Sequence, residues 1–236
     1  HMAEIAAELG KKDDEKLYKK YADRARTGYR RLVQTKKYSY DTDRQAKLVR
    51  PLYMNLLMGE QREFAQKRLL KALDNYGWRL GTGFLSTPFI LYVLSDMNIE
   101  YAYRLLENEE MPGWLFMPKM GANTIWESWE GTKAQGGVAS LNHYSKGAVC
   151  EWLFGEMCGI NVDGENKFRI APKPGGSLTY ARAEYQSVYG KVACGWQKTG
   201  KGYTYAVTIP SNCKAEILLP NGESHSVEAG KYTYSI

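Results

Sequence analysis

The sequence predicts a multi-domain α and β chain, with stacked helical hairpins over residues 1–160 and a small antiparallel β-sandwich over residues 161–236. Two observations carry the first half. Apolar residues recur at steps of three and four, the period of a helix that buries one face. The loops between these segments come in two lengths, the rhythm of stacked hairpins. One observation carries the second half. From about Gly159 the chain turns to runs of five to eight residues rich in Tyr, Val, Thr and Ile, punctuated by turn signals.

Each element follows from its own pattern. Tyr18, Tyr21, Ala22, Ala25, Tyr29 and Leu32 mark one face of a helix from about Asp13 to Val33. Ala46, Val49, Tyr53, Leu56 and Leu57 continue the period, with Pro51 as a kink or restart. Ala65, Leu69, Leu70 and Leu73 mark a third helix. In "GTGFLSTPFILYVLSD", Gly81 and Gly83 read as a loop, Thr87 as an N-cap and Pro88 as the first residue of a helix to about Ser95. "NIEYAYRLLEN" gives a short helix over Ile99–Leu106, and Asn142 is placed to cap a helix that runs to about Met157. Beyond Gly159, Tyr203, Tyr205, Val207 and Ile209 alternate along one strand, and Ala215, Ile217 and Leu219 along another. Gly200-Lys201-Gly202 and Asn221-Gly222 supply turns.

Composition removes several functions. The net charge is +6, but the basic residues are spread among acids and gather only near Lys11–Lys37, on the polar side of a helix. Nucleic-acid binding needs a basic face interleaved with exposed aromatics, so no nucleic-acid partner is expected. No apolar run approaches the ~20 residues of a membrane span, so no membrane partner is expected either. Cys150, Cys158, Cys194 and Cys213 lack metal-ligand spacing, and buried free thiols are expected. His1, His143 and His225 form neither an H-E-x-x-H nor a triad, so no metal and no cofactor is expected. No signal peptide opens the chain, and His1-Met2 reads as a cloning scar. The natural start is therefore expected to lie elsewhere, and the compartment does not follow from the sequence.

One stretch fits neither a core helix nor a solvated loop. "GANTIWESWEGT", Gly121–Thr132, places two carboxylates and two tryptophans within Trp126–Glu130. On residue types alone, Glu127 is a candidate catalytic carboxylate, with a surface acid beside a buried Trp as the plain alternative. Glu130 precedes Gly131 and reads as a solvated turn carboxylate. Trp126, Trp129 and Trp114 are candidate pocket walls, with barrel packing as the alternative for each. Thr82 and Phe84, on "GTGF", are candidates for a binding loop. His143, next to a helix start, reads as structural.

Taken together and in order, "GTGFLSTPFILYVLSD", "YRLLENEEMPGWLFM", "GANTIWESWEG" and "SLNHYSKGAVCEWLFGEMCGI" resemble the closing part of the catalytic domain of bacterial α-L-rhamnosidases, glycoside hydrolase family 78. The tail, "YTYAVTIPSNCKAEILLPNG" followed by "AGKYTYSI", is similar to that family's C-terminal β-sandwich. The resemblance implies the second half of an (α/α)6 barrel, about six helices, followed by the sandwich. It implies inverting hydrolysis of terminal α-L-rhamnose from a glycan or glycoside. Such enzymes use two carboxyl groups ~6.5–9.5 Å apart, one protonating the leaving oxygen and one deprotonating water. By resemblance the glutamate of TIWE, Glu127, is the general base, and the histidine of NHY, His143, contacts the sugar. Trp126, Trp129 and Trp114 become candidates to cover the methyl and apolar ring face of rhamnose.

The family's general acid lies upstream, in an earlier helical repeat with no counterpart here. The expectation is therefore a C-terminal fragment that carries the base without the acid and is inactive alone. Its implied partners are the missing N-terminal part of the enzyme and the rhamnose-bearing substrate. An uncovered helical face makes a homodimer a further candidate. The competing expectation is a non-catalytic carbohydrate-binding or structural module, with Trp196, Tyr203 and Tyr205 presenting rings on the sandwich.

Overall fold

A computed structural model of the chain describes residues 1–35, 41–134, 136–137 and 139–236. Lys37, in the basic cluster, lies outside the described residues. The chain divides into two compact units, His1–Thr82 and Gly83–Ile236.

The first unit is helical. Helix α1 (Met2–Glu8) packs on α2 (Lys12–Thr35), and α3 (Gln45–Tyr53) packs on α4 (Gly59–Asn75). Helices α2 and α4 lie where the apolar period places them, whereas α3 ends at Tyr53, short of Leu56 and Leu57, and runs through Pro51 without a restart. Leu48, Val49 and Leu52 of α3 and Leu69 and Leu73 of α4 are buried. The stripe on α2 behaves differently: Tyr21, Ala22, Ala25 and Leu32 are exposed. Buried Gln45 organises the end of the unit. Its Nε2 donates to the Arg79 carbonyl and its Oε1 accepts the Gly81 N–H, both at 2.8 Å. A side chain at position 81 would press on that amide, so Gly81 is there for space.

The second unit begins with α5 (Gly83–Met97), which starts at Gly83 and not at Pro88. Thr87 lies inside the helix, where its hydroxyl donates back to the Gly83 carbonyl at 2.5 Å, and is not its N-cap. Pro88 has no N–H, which leaves the Phe84 carbonyl, four residues back, without its helical donor. The Ser145 hydroxyl takes that place at 2.8 Å. The proline is tolerated because a side chain from another element satisfies the orphaned carbonyl.

Helix α6 (Ile99–Leu106) lies where its pattern predicts, with the Asn98 side chain accepting the Glu100 N–H at 3.0 Å. A short α7 (Phe116–Lys119) follows. The single helix expected from Asn142 to Met157 is instead α8 (Tyr144–Gly147), α9 (Val149–Trp152) and a π-turn over Leu153–Met157. Its break coincides with Gly147, a poor helix former. The cap is also one residue along: His143 Nδ1, not Asn142, accepts the Ser145 N–H.

The strands form a sandwich of two sheets. One contains β1 (Ile160–Val162), β2 (Lys167–Ile170), β6 (Lys214–Leu218) and β7 (Ser224–Val227), in the order β1-β2-β6-β7. The other contains β3 (Tyr180–Ser187), β4 (Gly190–Lys198), β5 (Tyr203–Ile209) and β8 (Gly230–Ser235), in the order β3-β4-β5-β8. All pairs are antiparallel except β2–β6. Strands β3 to β5 lie between those two in sequence, the long crossover that a parallel pair requires.

Alternation puts Val192, Cys194, Trp196, Tyr205, Val207 and Ile209 inside. Trp196 and Tyr205 are 2% and 0% exposed, which overturns the expectation that they present rings to a sugar. The Trp196 indole N–H donates instead to the Met157 carbonyl at 2.8 Å. Tyr203 is half-buried with its ring against Trp196. Cys158, Cys194 and Cys213 are buried free thiols, whereas Cys150 is free but exposed.

The segment leading into the second sheet is held by α6 and its C-cap residue Glu107. Tyr103 Oη donates to the Lys173 carbonyl at 2.6 Å, and the Gly176 N–H reaches Glu100 at 3.1 Å. The Ser177 N–H lies 3.0 and 3.1 Å from the two oxygens of Glu107. Gly175 and Gly176 leave room for Tyr103, whose ring or Cβ a side chain at either position would strike. Among the described residues, no helix is long and apolar enough to cross a membrane.

Candidate active site

The residues singled out around Trp126–Glu130 converge on one patch of the second unit. The chain there is irregular, and its order comes from zipping two segments together. Thr124 Oγ1 donates to the Leu141 carbonyl. The His143 N–H donates to the Ile125 carbonyl at 2.8 Å, and the Glu127 N–H to the Ser140 carbonyl at 2.8 Å. The Ser140 N–H returns to Glu127 Oε2 at 3.1 Å. Glu127 and His143 are thus carried on opposite sides of one hydrogen-bonded seam.

Glu127 is exposed. Among the described residues, Oε2 accepts the Ser140 N–H, and no donor is assigned to Oε1. A carboxylate oxygen has spare lone pairs, so Glu127 retains capacity for a water or a hydroxyl. Glu130 differs. It accepts the Ser128 hydroxyl at 2.5 Å, and that bond, with its own backbone N–H and Lys146 nearby, holds its carboxyl below the usual range. It is exposed, as a turn carboxylate should be.

The two tryptophans of the loop do different work. Trp126 is half-buried, its backbone N–H donating to Met117 Sδ at 3.3 Å. Its ring lies so close to the Gly131 Cα that a side chain at 131 would overlap it, and Gly131 has φ +56°. The left-handed turn and the indole together require glycine. Trp129 is half-buried, with the Lys146 ammonium 3.6 Å above its ring centroid. Trp114 is 3% exposed, and its indole N–H donates to the Lys146 carbonyl at 3.0 Å. It supports α8 from below, which corrects its reading as a pocket wall.

His143 is half-buried. Its Nδ1 accepts the Ser145 N–H at 3.3 Å, which in the neutral ring leaves the proton on Nε2. The cap thereby presents Nε2–H as a donor. The ring stacks on Tyr144 at 5.3 Å and meets the Phe84 edge at 4.9 Å. Phe84 is 47% exposed in the first turn of α5 and lies beside His143, while Thr82, in the first unit, is buried.

The sequence reading did not find Lys146 and Ser145. Ser145 joins α8 to the carbonyl that Pro88 leaves open. Lys146 Nζ donates to the Glu127 carbonyl and sits on Trp129. Burial lowers its pKa to about 8, against the opposing pull of Glu130 and Glu127. The available signal was a lone lysine three residues after the histidine cap, one helical step onto the face that meets the loop.

Residues 1–157 match the model of the bacterial alpha-L-rhamnosidase six-hairpin glycosidase domain, and residues 162–233 that of the bacterial alpha-L-rhamnosidase C-terminal domain. An alpha-L-rhamnosidase of Streptomyces avermitilis is 35% identical over 227 residues, covering 92% of this chain and 22% of that protein. One from Formosa agariphila is 34% identical over 242 residues, covering 99% of this chain and 26% of that protein. Among solved structures, Streptomyces avermitilis alpha-L-rhamnosidase complexed with L-rhamnose superposes with a TM-score of 0.85 at 30% identity, over 99% of this chain and 25% of that one. Native alpha-L-rhamnosidase from Aspergillus terreus superposes with a TM-score of 0.86 at 27% identity, over 98% of this chain and 28% of that one. The chain spans about a quarter of the length of these relatives.

Proposed function

The chain belongs to the bacterial α-L-rhamnosidase six-hairpin glycosidase family, and from that premise we propose that it forms the closing part of an enzyme that removes terminal α-L-rhamnose by inverting hydrolysis, with Glu127 as the general base. In this reading residues 1–160 close an (α/α)6 barrel and residues 161–236 are its C-terminal sandwich. The observation that carries it is Glu127 itself. Its backbone is fixed at the seam, one carboxylate oxygen is held by Ser140, and the other has no assigned donor among the described residues. A base needs a fixed orientation and an oxygen open to a water, and the geometry of Glu127 supplies both.

Around it, His143 Nε2–H is a donor for a sugar hydroxyl, and the Trp129 ring is a surface for an apolar sugar face. A relative 30% identical to this chain was solved with L-rhamnose, which supports the choice of sugar. The proton donor is proposed to come from the part of the enzyme outside the stretch these relatives share with this chain. General acid catalysis typically contributes ~10²–10⁴-fold, so its absence from the isolated chain should be decisive. The exposed apolar residues Leu17 and Tyr21 of α2 are proposed to be covered by the rest of the enzyme, or by a second copy when the chain is alone.

Three measurements test this. The isolated chain should show no turnover of p-nitrophenyl α-L-rhamnoside and should self-associate in light scattering. The active enzyme that carries it should release rhamnose with inverted anomeric configuration, read by proton NMR at early times. Retention of configuration would remove Glu127 from the role of base.

A further inference from the structure

We propose that Lys146 is the positioning residue of this site: its side chain, seated on the Trp129 ring and on the backbone of Glu127, holds in place the segment that carries the Glu127 carboxylate. The inference rests on the reading of Glu127 as the base and deepens it.

The seam with 140–143 ties the loop through the Ile125 carbonyl, the Glu127 N–H and Glu127 Oε2. Those bonds leave the carbonyl side of Glu127 to be fixed by something else. Lys146 Nζ donates to that carbonyl and also lies 3.6 Å over the Trp129 ring, two residues further on. One ammonium thus grips the arc from Glu127 to Trp129 at both ends, by a charge-assisted hydrogen bond and a cation–π contact.

The lysine is itself anchored before its side chain reaches the loop. Its carbonyl takes the Trp114 indole N–H, and its neighbour Ser145 is bonded to the Phe84 carbonyl in α5. The arrangement runs from helix, to short helix, to lysine, to loop.

Energetics favour this role over plain packing. The charges that act on Lys146 are Glu130 and Glu127, both on the loop, and both favour the ammonium. Burial opposes them and wins. A side chain chosen only to fill this space would carry no charge to desolvate. What the charge provides is a hold on the loop. A base must keep its open oxygen within hydrogen-bond reach of a water, and a shift of about 1 Å at a reacting group can cost ~10²-fold.

The test needs no turnover. Amide hydrogen exchange is followed by NMR in the chain and in its Lys146→Met and Lys146→Arg variants. In Lys146→Met the Glu127 amide should exchange at least about tenfold faster, from loss of one cation–π contact and one hydrogen bond, while the Tyr205 amide in the sandwich stays as protected as before. Lys146→Arg, which keeps the cation, should recover most of the protection. The Trp129 signal, isolated by difference against Trp129→Phe, should show an alkaline fluorescence transition near pH 8 that Lys146→Met abolishes.

Unchanged Glu127 protection in Lys146→Met would overturn the proposal. If that variant unfolds as a whole, Lys146→Arg decides: retained Glu127 protection without the transition near pH 8 supports the proposal, and lost protection ends it. These readouts do not depend on what Glu127 does. Turnover of a Glu127→Gln enzyme tests the base assignment separately.

Discussion

Two regions of the second unit use carboxylates in opposite ways. Along 173–177, Glu100 and Glu107 each engage the backbone with both oxygens: Glu100 at the Gly176 N–H and Glu107 at the Ser177 N–H. Along 124–131, Glu127 gives one oxygen to Ser140 and keeps the other open among the described residues. Glu100 and Glu127 are both exposed, so exposure does not separate a structural acid from a working one. A carboxylate oxygen with no assigned donor among the described residues, on a fixed backbone, does. The same contrast holds inside the loop, where Glu130 is taken by Ser128 and by its own N–H.

The sharpest test of this contrast is kinetic. In the active enzyme, Glu127→Gln keeps the size and the bond to Ser140 but removes the proton acceptor. Its kcat should fall by ~10²-fold or more, with KM nearly unchanged. Glu107→Gln in the same enzyme should leave kcat near normal, because an amide oxygen can still accept the Ser177 N–H. Loss of turnover in Glu107→Gln, with none in Glu127→Gln, would break the comparison outright.

The linker should answer in stability. A methyl at Gly175 would meet the Tyr103 ring at 2.6 Å and Glu100 Oε1 at 2.8 Å. Tyr103 is fully buried and bonded to the Lys173 carbonyl, so its ring has little freedom to yield. Gly175→Ala should therefore cost about 1–3 kcal/mol, as overpacking does, and lower Tm by several degrees in a melt followed by circular dichroism. An alanine at Gly136, which has open space, should avoid the overlap and meet only the strain of its φ of +100°. Equal losses at the two positions would mean that the close approach to α6 contributes little.

The pH dependence of stability separates the regions again. Lys146 has a folded pKa of about 8 against an ordinary value of 10.5. Below pH 8 both folded and unfolded chains carry the proton, and the fold bears the cost of burying it. Between pH 8 and 10.5 the unfolded chain binds more protons, so stability rises with pH from this group. Urea midpoints of the chain minus those of Lys146→Met should therefore increase across that window. A flat or falling difference would mean that the lysine is solvated rather than held on the loop.

How much of this was legible in the sequence depended on the range of the signal. Helices α2 to α4 and α6 were readable because their periods are local, and the strands because alternation is local. Thr87-Pro88 misled for the same reason. The pair has the local form of a helix start, but Ser145, 61 residues beyond Phe84, supplies the donor to the Phe84 carbonyl that lets α5 run through it. Trp196 and Tyr205 looked suited to a sugar platform until the sheet placed their faces inward. Glu127 stood out because of its neighbours in sequence. Lys146 did not, since its partners Glu127 and Trp129 reach it only through the seam, 19 residues back in the case of Glu127.

The smallest expected effect is at Glu130, and it bears on the placing of the whole site. Its carboxyl is held below the usual range, first by the Ser128 hydroxyl and then by its own backbone N–H. A depressed folded pKa contributes stability above the ordinary value of 4.5, and that contribution is lost as pH falls through the folded value. The group is almost fully solvated, so Glu130→Gln should shift stability by no more than about 0.5 kcal/mol, as surface changes do. It should reduce kcat only slightly, through the weaker field it exerts on Lys146. Glu127→Gln and Glu130→Gln therefore form a matched pair three residues apart, alike in chemistry and unlike in free hydrogen-bond capacity. Steady-state kinetics on both variants compares them directly. If turnover disappears in Glu130→Gln and survives in Glu127→Gln, the base lies on the other side of Trp129, and the seam that orients Glu127 serves only to hold the loop.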